Sequence, residues 1–194
     1  DTQMTIALIE FMLSGEEWTL VNWANFIMKV YQRDPRVGYN SGFQKFLEGC
    51  KDGTDFVTRI RPHSTLSGGC MRALPIGFLT NANDVVNKSM WQASLTHATR
   101  EGMESSALVS LLAWSCRRGL TKPQIIELMD RYIRAPYDWD RPLAKPANSN
   151  SGFPVAKAAI SLVIHYDTLS DILQQAVELG GDTDTVAAIA VGAG

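Results

Sequence analysis

The sequence predicts an all-α fold, and three observations carry that expectation. Apolar residues recur every three to four positions through most of the 194-residue chain, the spacing that builds one face of a helix. No stretch sustains the period-2 alternation of a half-buried strand. The Asp52-Gly53 pair, a dipeptide that often turns hairpins, stands between polar residues and reads as a plain turn.

The elements follow in order. Ile6, Ile9 and Leu13 mark a helix over 5–13. Leu20, Trp23, Ala24, Ile27, Val30 and Tyr31 share one face of a helix over 16–32. A short helix is expected over 42–49, and another beginning near Cys70 after the paired glycines. Val86, Met90 and Ala93 mark 83–97, and Leu108, Leu111, Leu112 and Ser115 mark 105–118. Gly119 suits the stop of that helix. Thr121-Lys122-Pro123-Gln124 then supplies a capping hydroxyl, an early proline and a reciprocal glutamine, starting a helix over 124–133. Further helices are expected over 153–165, 169–179 and 185–191, with loops over 33–41, 61–69 and 135–152. The last loop is rich in Pro, Asn and Ser and longer than compact domains usually carry, a sign of function or mobility.

Composition narrows the function classes. At 45% hydrophobic and 20% charged residues the chain can bury a core, and its length suits one domain over 1–194. Eighteen basic against twenty acidic residues leave a net charge of -2, without the basic excess of a nucleic-acid or anionic-membrane binder. No apolar run approaches the roughly 20 residues of a membrane span, and no signal-peptide pattern opens the chain. Cys50, Cys70 and Cys116 are odd in number and widely spaced, which argues against a disulfide framework and for a reducing, cytoplasmic home. The absence of a heptad seam makes a monomer the default. The chain starts at Asp1 directly in a helical pattern and stops at Gly194 beside another, so it reads as an excised domain or an incomplete chain.

Four local clusters carry chemistry. Gly180-Gly181 allow a sharp turn, and Asp182-Thr183-Asp184-Thr185 then place two carboxylates and two hydroxyls at a helix start. Such oxygens suit Mg²⁺, Mn²⁺ or Ca²⁺; alternatively one of them simply caps the helix. Asp1-Thr2-Gln3 with Thr5 forms a second oxygen cluster at a helix start, either a cap or the other side of a carboxylate cage that a cation would neutralise. The hydroxyl- and glycine-rich run from Ser64 through Gly69 can bring a ligand's phosphates to backbone N–H groups. His97 lies near a helix end, where a cap or a packed ring is the plainer reading than a ligand contact; the same plain reading holds for His63 and His165.

Together these clusters resemble the ADP-ribosylglycohydrolase family. The matching stretches are Asp1-Thr2-Gln3-Met4-Thr5, Ser67-Gly68-Gly69-Cys70-Met71-Arg72-Ala73-Leu74-Pro75-Ile76-Gly77, Thr96-His97, and Gly180-Gly181-Asp182-Thr183-Asp184-Thr185-Val186-Ala187-Ala188-Ile189-Ala190. They fall in the family's order, and the last is its most specific motif. The resemblance implies a single compact orthogonal helical bundle holding two divalent cations, Mg²⁺ or Mn²⁺. It implies hydrolysis of the bond between ADP-ribose and a modified protein group, foremost the arginine guanidinium. By that likeness Asp1, Asp182, Asp184 and Thr185 would ligate metal, with Asp1 and Asp182 also catalytic. Ser64, Thr65, Ser67, Gly68 and Gly69 would cradle the diphosphate and ribose. His97 would touch the ligand, and Phe153 would present an apolar group to the nucleotide. Asp1 matches the last acid of the family's first metal motif, so the family's preceding segment and its extreme C-terminus are expected to be missing here. A second class stays open: a non-catalytic binder on the same fold, sequestering ADP-ribosylated targets or occupying an ADP-ribosyltransferase toxin. A structural relative that lost the chemistry is the third.

Overall fold

The computed structural model describes residues 2–133, 139 and 150–194. Among these the architecture is all-α, as expected, with no named strand. The helices are α1 (Thr2–Leu13), α2 (Leu20–Arg33), α3 (Ser41–Gly49), α4 (Gly53–Arg59), α5 (Ala82–Ser94), α6 (Arg100–Arg117), α7 (Lys122–Tyr132), α8 (Gly152–His165), α9 (Leu169–Leu179) and α10 (Thr183–Ala193). Two short 3₁₀ turns, Ser67–Gly69 and Leu74–Phe78, lie between α4 and α5.

Burial identifies the centre. α6 and α8 bury residues on nearly every face, including Ala107 through Leu112 in α6 and Ala158 through Ile164 in α8, as helices wrapped by others must. α5, α8, α10 and both 3₁₀ turns pack on α6, while α1 pairs with α2 and α9 with α10. Phe11, Trp18, Trp23, Phe26 and Trp91 form an aromatic group with Phe11 at its centre, 5.0–5.9 Å from each of the other four rings. A second group runs from Tyr39 through Phe43 and Phe46 to Phe56.

The structure corrects four sequence expectations, each for a local reason. α2 begins at Leu20 because Thr19 is extended and its side chain accepts the Asn22 N–H, leaving residues 16–18 outside the helix. α6 starts at Arg100 rather than 105, with Thr99 capping Gly102. Asp52-Gly53 is a helix start: Asp52 accepts the Asp55 N–H and opens α4. No α-helix begins near Cys70; the chain continues through turns into the 3₁₀ segment Leu74–Phe78, where Pro75 in the first turn leaves one backbone donor fewer. The expected capping box at Thr121 and Gln124 is present in α7. The expected loop over 135–152 falls almost wholly outside the described residues.

Two isolated bridges position the loop of residues 61–69. His63 pairs with His97, and Leu66 pairs with Ser151. The Ser67 N–H donates to Asn150 O and the Gly152 N–H to Thr65 O, both at 2.8 Å. The Thr99 hydroxyl donates to Ser64 O at 3.0 Å. The loop is thus sewn along one edge to the start of α8 and along the other to the link between α5 and α6.

Candidate functional site

A cleft of about 570 Å³ opens between this loop, the head of α10 and the segment joining α2 to α3. Drug-sized ligands occupy pockets of about 300–1,000 Å³. Its polar wall carries Ser64, Ser67, Gly68, Thr96, His97, Asp182, Asp184 and Thr185, and Tyr39, Phe43 and Ile60 supply apolar surface.

The head of α10 is built by its glycines. Gly180 and Gly181 adopt φ of 74° and 78°, a left-handed conformation that side chains rarely take, and they turn the chain from α9 so that Asp182 arrives at the cleft. Asp182 occupies the N-cap position, yet its side chain makes no capping bond. Its Oδ2 instead accepts the Ser67 hydroxyl at 2.8 Å, joining residues 115 apart in sequence. The capping alternative therefore does not account for this carboxylate. Asp184 is exposed in the cleft and Thr185 is buried beneath it.

Beneath the loop lies a buried polar seam. Gln92 Nε2 and the Ser106 hydroxyl both donate to Gly69 O, at 2.9 and 3.2 Å, and the Ser110 hydroxyl donates to Ala73 O at 2.8 Å. Ser89 bonds Ser106 and Ser110 in turn. Gly69 O thereby gains two buried donors, and Ala73 O adds the Ser110 hydroxyl to the Ile76 N–H it already accepts. The seam holds the backbone from residue 67 to 73 against α5 and α6.

His97 packs over that backbone. A Cβ at Gly68 would come within 3.0 Å of His97 Cε1 and 3.1 Å of Nε2, so glycine lets the loop lie against the ring without pressing on it. The ring is buried, and its pKa is pushed down to about 3, first by burial and then by the Arg72 guanidinium. Arg72 is 2% exposed and has no carboxylate partner among the described residues. It donates to Gln92 Oε1 at 2.7 Å, Gln92 O at 3.2 Å and Thr96 Oγ1 at 2.8 Å. Burial lowers its pKa to about 10, leaving it a cation at neutral pH.

The site residues singled out in the sequence divide into three groups. Ser64, Ser67, Gly68, His97, Asp182, Asp184 and Thr185 line the cleft. Thr65, Gly69 and Phe153 stand outside its lining: Thr65 is exposed with its carbonyl held by Gly152, Gly69 is buried on the seam, and Phe153 is half-buried in the first turn of α8. Asp1 lies outside the described residues. Its neighbours Thr2 and Gln3 face an adjoining cavity of about 560 Å³ that shares Gly38 and Tyr39 with the cleft, and Gln3 accepts the Tyr39 hydroxyl. His63 is exposed, and His165 Nδ1 bonds Ser161 O at 2.8 Å. Tyr39, Phe43, Ile60, Arg61 and Asn150 join the lining without having been singled out; nothing local in the sequence marks them.

Among the described residues no three His, Cys, Asp or Glu side chains gather as a complete metal cluster. The donors present do fit a hard cation: Asp182 and Asp184 carboxylates with the Thr185 hydroxyl are all oxygen ligands. Neither aspartate has an ion-pair partner among the described residues. No described helix is long and apolar enough to cross a membrane.

Comparison with known proteins accords with this arrangement. The chain is 29% identical over 133 residues to ADP-ribosylhydrolase ARH3 of Mus musculus, a match covering 64% of this chain and 36% of that relative. It therefore spans about a third of the relative's length. A solved structure described as an ADP-ribosylglycohydrolase-related protein complex superposes with a TM-score of 0.72 at 20% identity, covering 99% of this chain and 69% of the other. The family model for ADP-ribosylglycohydrolase matches residues 1–193. With the glycine turn, its unspent aspartate and the loop it meets all lying inside that match, the chain belongs to the ADP-ribosylglycohydrolase family.

Proposed function

We propose that the cleft binds ADP-ribose and that the chain serves metal-dependent hydrolysis of ADP-ribose from modified protein side chains, ADP-ribosyl-arginine foremost. The observation that carries this reading is the Ser67–Asp182 hydrogen bond. It brings a hydroxyl- and glycine-rich loop suited to phosphates and a paired-carboxylate helix start suited to a cation into one cleft of about 570 Å³.

Each part has a role in that chemistry. Ser64 and the Gly68 backbone present small donors to the diphosphate and ribose, while Ser67 ties the loop to Asp182. His97, whose ring edge lies against Gly68 in the cleft lining, would contact the ligand. Asp182, Asp184 and Thr185 would hold Mg²⁺ or Mn²⁺, with Asp1 expected to complete the set. When bound, such a cation supplies Lewis acidity toward ribose hydroxyls and water. The carboxylates also stabilise positive charge developing at the anomeric carbon as the leaving group departs. Three free cysteines, Cys50, Cys70 and Cys116, support a reducing, cytoplasmic setting.

The test is calorimetric titration of ADP-ribose with Mg²⁺ and then with chelator, followed by turnover of ADP-ribosyl-arginine by the wild type and by Asp182→Ala/Asp184→Ala. Metal-dependent binding and turnover lost in the double variant are expected. Full activity in that variant would overturn the reading. Tight metal-independent binding without turnover would favour the non-catalytic binder.

A further inference from the structure

The Thr96 hydroxyl lies between two groups that constrain it. Arg72 Nη2 donates to Thr96 Oγ1 at 2.8 Å, and Oγ1 lies 2.7 Å from His97 Nδ1. Thr96 is buried, and its hydroxyl proton has no other acceptor among the described residues. A buried donor left unmade costs about 1–3 kcal/mol. That proton is satisfied only if His97 Nδ1 accepts it, which requires an unprotonated Nδ1 and leaves the ring proton on Nε2. The guanidinium beside the ring acts in the same direction, disfavouring a second proton. The Nε2 edge faces Gly68 and the cleft, and no described protein group receives its proton.

We propose that Arg72 and Thr96 are positioning residues that hold His97 as a neutral Nε2–H imidazole, aimed as a hydrogen-bond donor at a phosphate oxygen of the bound ligand. This rests on the ADP-ribose reading for the ligand, but the ring's tautomer stands apart from it. The arrangement gives an anion a directed donor backed by a fixed buried cation, with no proton to take up as pH falls. The other charged groups around the cleft are Arg61, Asp182 and Asp184, and Arg72 is the one whose charge shifts the ring.

Histidine nitrogen shifts read the tautomer directly. With ¹⁵N-histidine protein, and with His63→Asn and His165→Asn to assign the signals, long-range proton–nitrogen spectra are recorded from about pH 5 to about pH 8. His97 is expected to show a pyridine-like Nδ1 and a pyrrole-like Nε2, unmoved across that range. A pyrrole-like Nδ1, or a titration within the range, overturns the proposal. Adding ADP-ribose should shift the Nε2 proton; an unmoved proton in a protein that binds ADP-ribose refutes the donor role. Thr96→Val should mix the tautomers and weaken ADP-ribose about tenfold, and Thr96→Ser should restore both. Weakened binding with the tautomer unchanged would reduce Thr96 to a packing residue and sink the relay. If the wild type binds no ADP-ribose, the ligand reading fails while the nitrogen shifts still decide the tautomer.

Discussion

Replacing Ser67 by alanine removes one hydroxyl and the hydrogen bond that ties the loop to α10. The bond is 2.8 Å long, its acceptor is a carboxylate, and Asp182 is half-buried. Hydrogen bonds to charged groups contribute about 1.5–3 kcal/mol, and partial exposure places this one near 1.5 kcal/mol. For a chain of 194 residues, a loss of that size lowers Tm by about 3–6 °C. Asp182→Ala should cost a similar amount, because it breaks the same bond. The decisive measurement is a double-mutant cycle in metal-free buffer, by urea denaturation of the wild type, both single variants and the double. Coupling of about 1 kcal/mol is expected, since the second substitution has no bond left to break. Additivity to within about 0.3–0.5 kcal/mol would mean that loop and helix merely lie near one another. Loop and α10 would then not act as one site.

Two further outcomes follow from buried titratable groups. Burial and the Arg72 guanidinium hold the His97 pKa down at about 3 in the folded chain, against an ordinary 6.5, so between those values the unfolded chain binds the extra proton. Its contribution to stability is complete above about pH 6.5 and is lost as pH falls, by about 2 kcal/mol at pH 5. Denaturant midpoints at pH 7 and 5 should therefore converge in His97→Gln relative to wild type, and an unchanged difference would refute the buried neutral ring. The Cys70 thiol, fully buried with its pKa pushed up to about 12 by desolvation, should resist alkylation at pH 8 until the protein unfolds. Mass spectrometry of the labelled native protein checks this, and rapid native labelling at Cys70 would contradict its burial.

What the sequence revealed depended on how far apart the cooperating residues lie. Gly180-Gly181-Asp182 compresses a helix stop, a turn and a carboxylate into three positions, so local chemistry was enough to single it out. The Thr121–Gln124 capping box is equally short-range. Helix α4 escaped notice because seven residues give little room for a periodic face, and its Asp-Gly start serves turns and helix caps alike. The serine seam was hidden for a different reason. Ser106 and Ser110 sit within an apolar helix, and their partners are carbonyls of Gly69 and Ala73, which every residue type possesses. Arg72 stood in a quoted stretch, but its buried place is set by hydrogen bonds to Gln92 and Thr96, 20 and 24 residues away. The wall formed by Tyr39, Phe43 and Ile60 is a product of packing and has no signature of its own.

The seam beneath Gly69 and Ala73 bears on the speed and cost of recognition. Phosphate-binding loops in many proteins are loose until occupied, and ordering them subtracts from affinity. Here the carbonyls under the cleft are fastened by the Gln92 amide of α5 and the Ser106 and Ser110 hydroxyls of α6, so this backbone is held in place as long as those two helices stay packed. Hydrogen exchange at the bonded amides of Cys70, Met71 and Ala73 should accordingly track global unfolding rather than local fraying. A ligand arriving at such a surface finds the donors already in place, and little of its binding energy is lost to shaping the floor on which it lands.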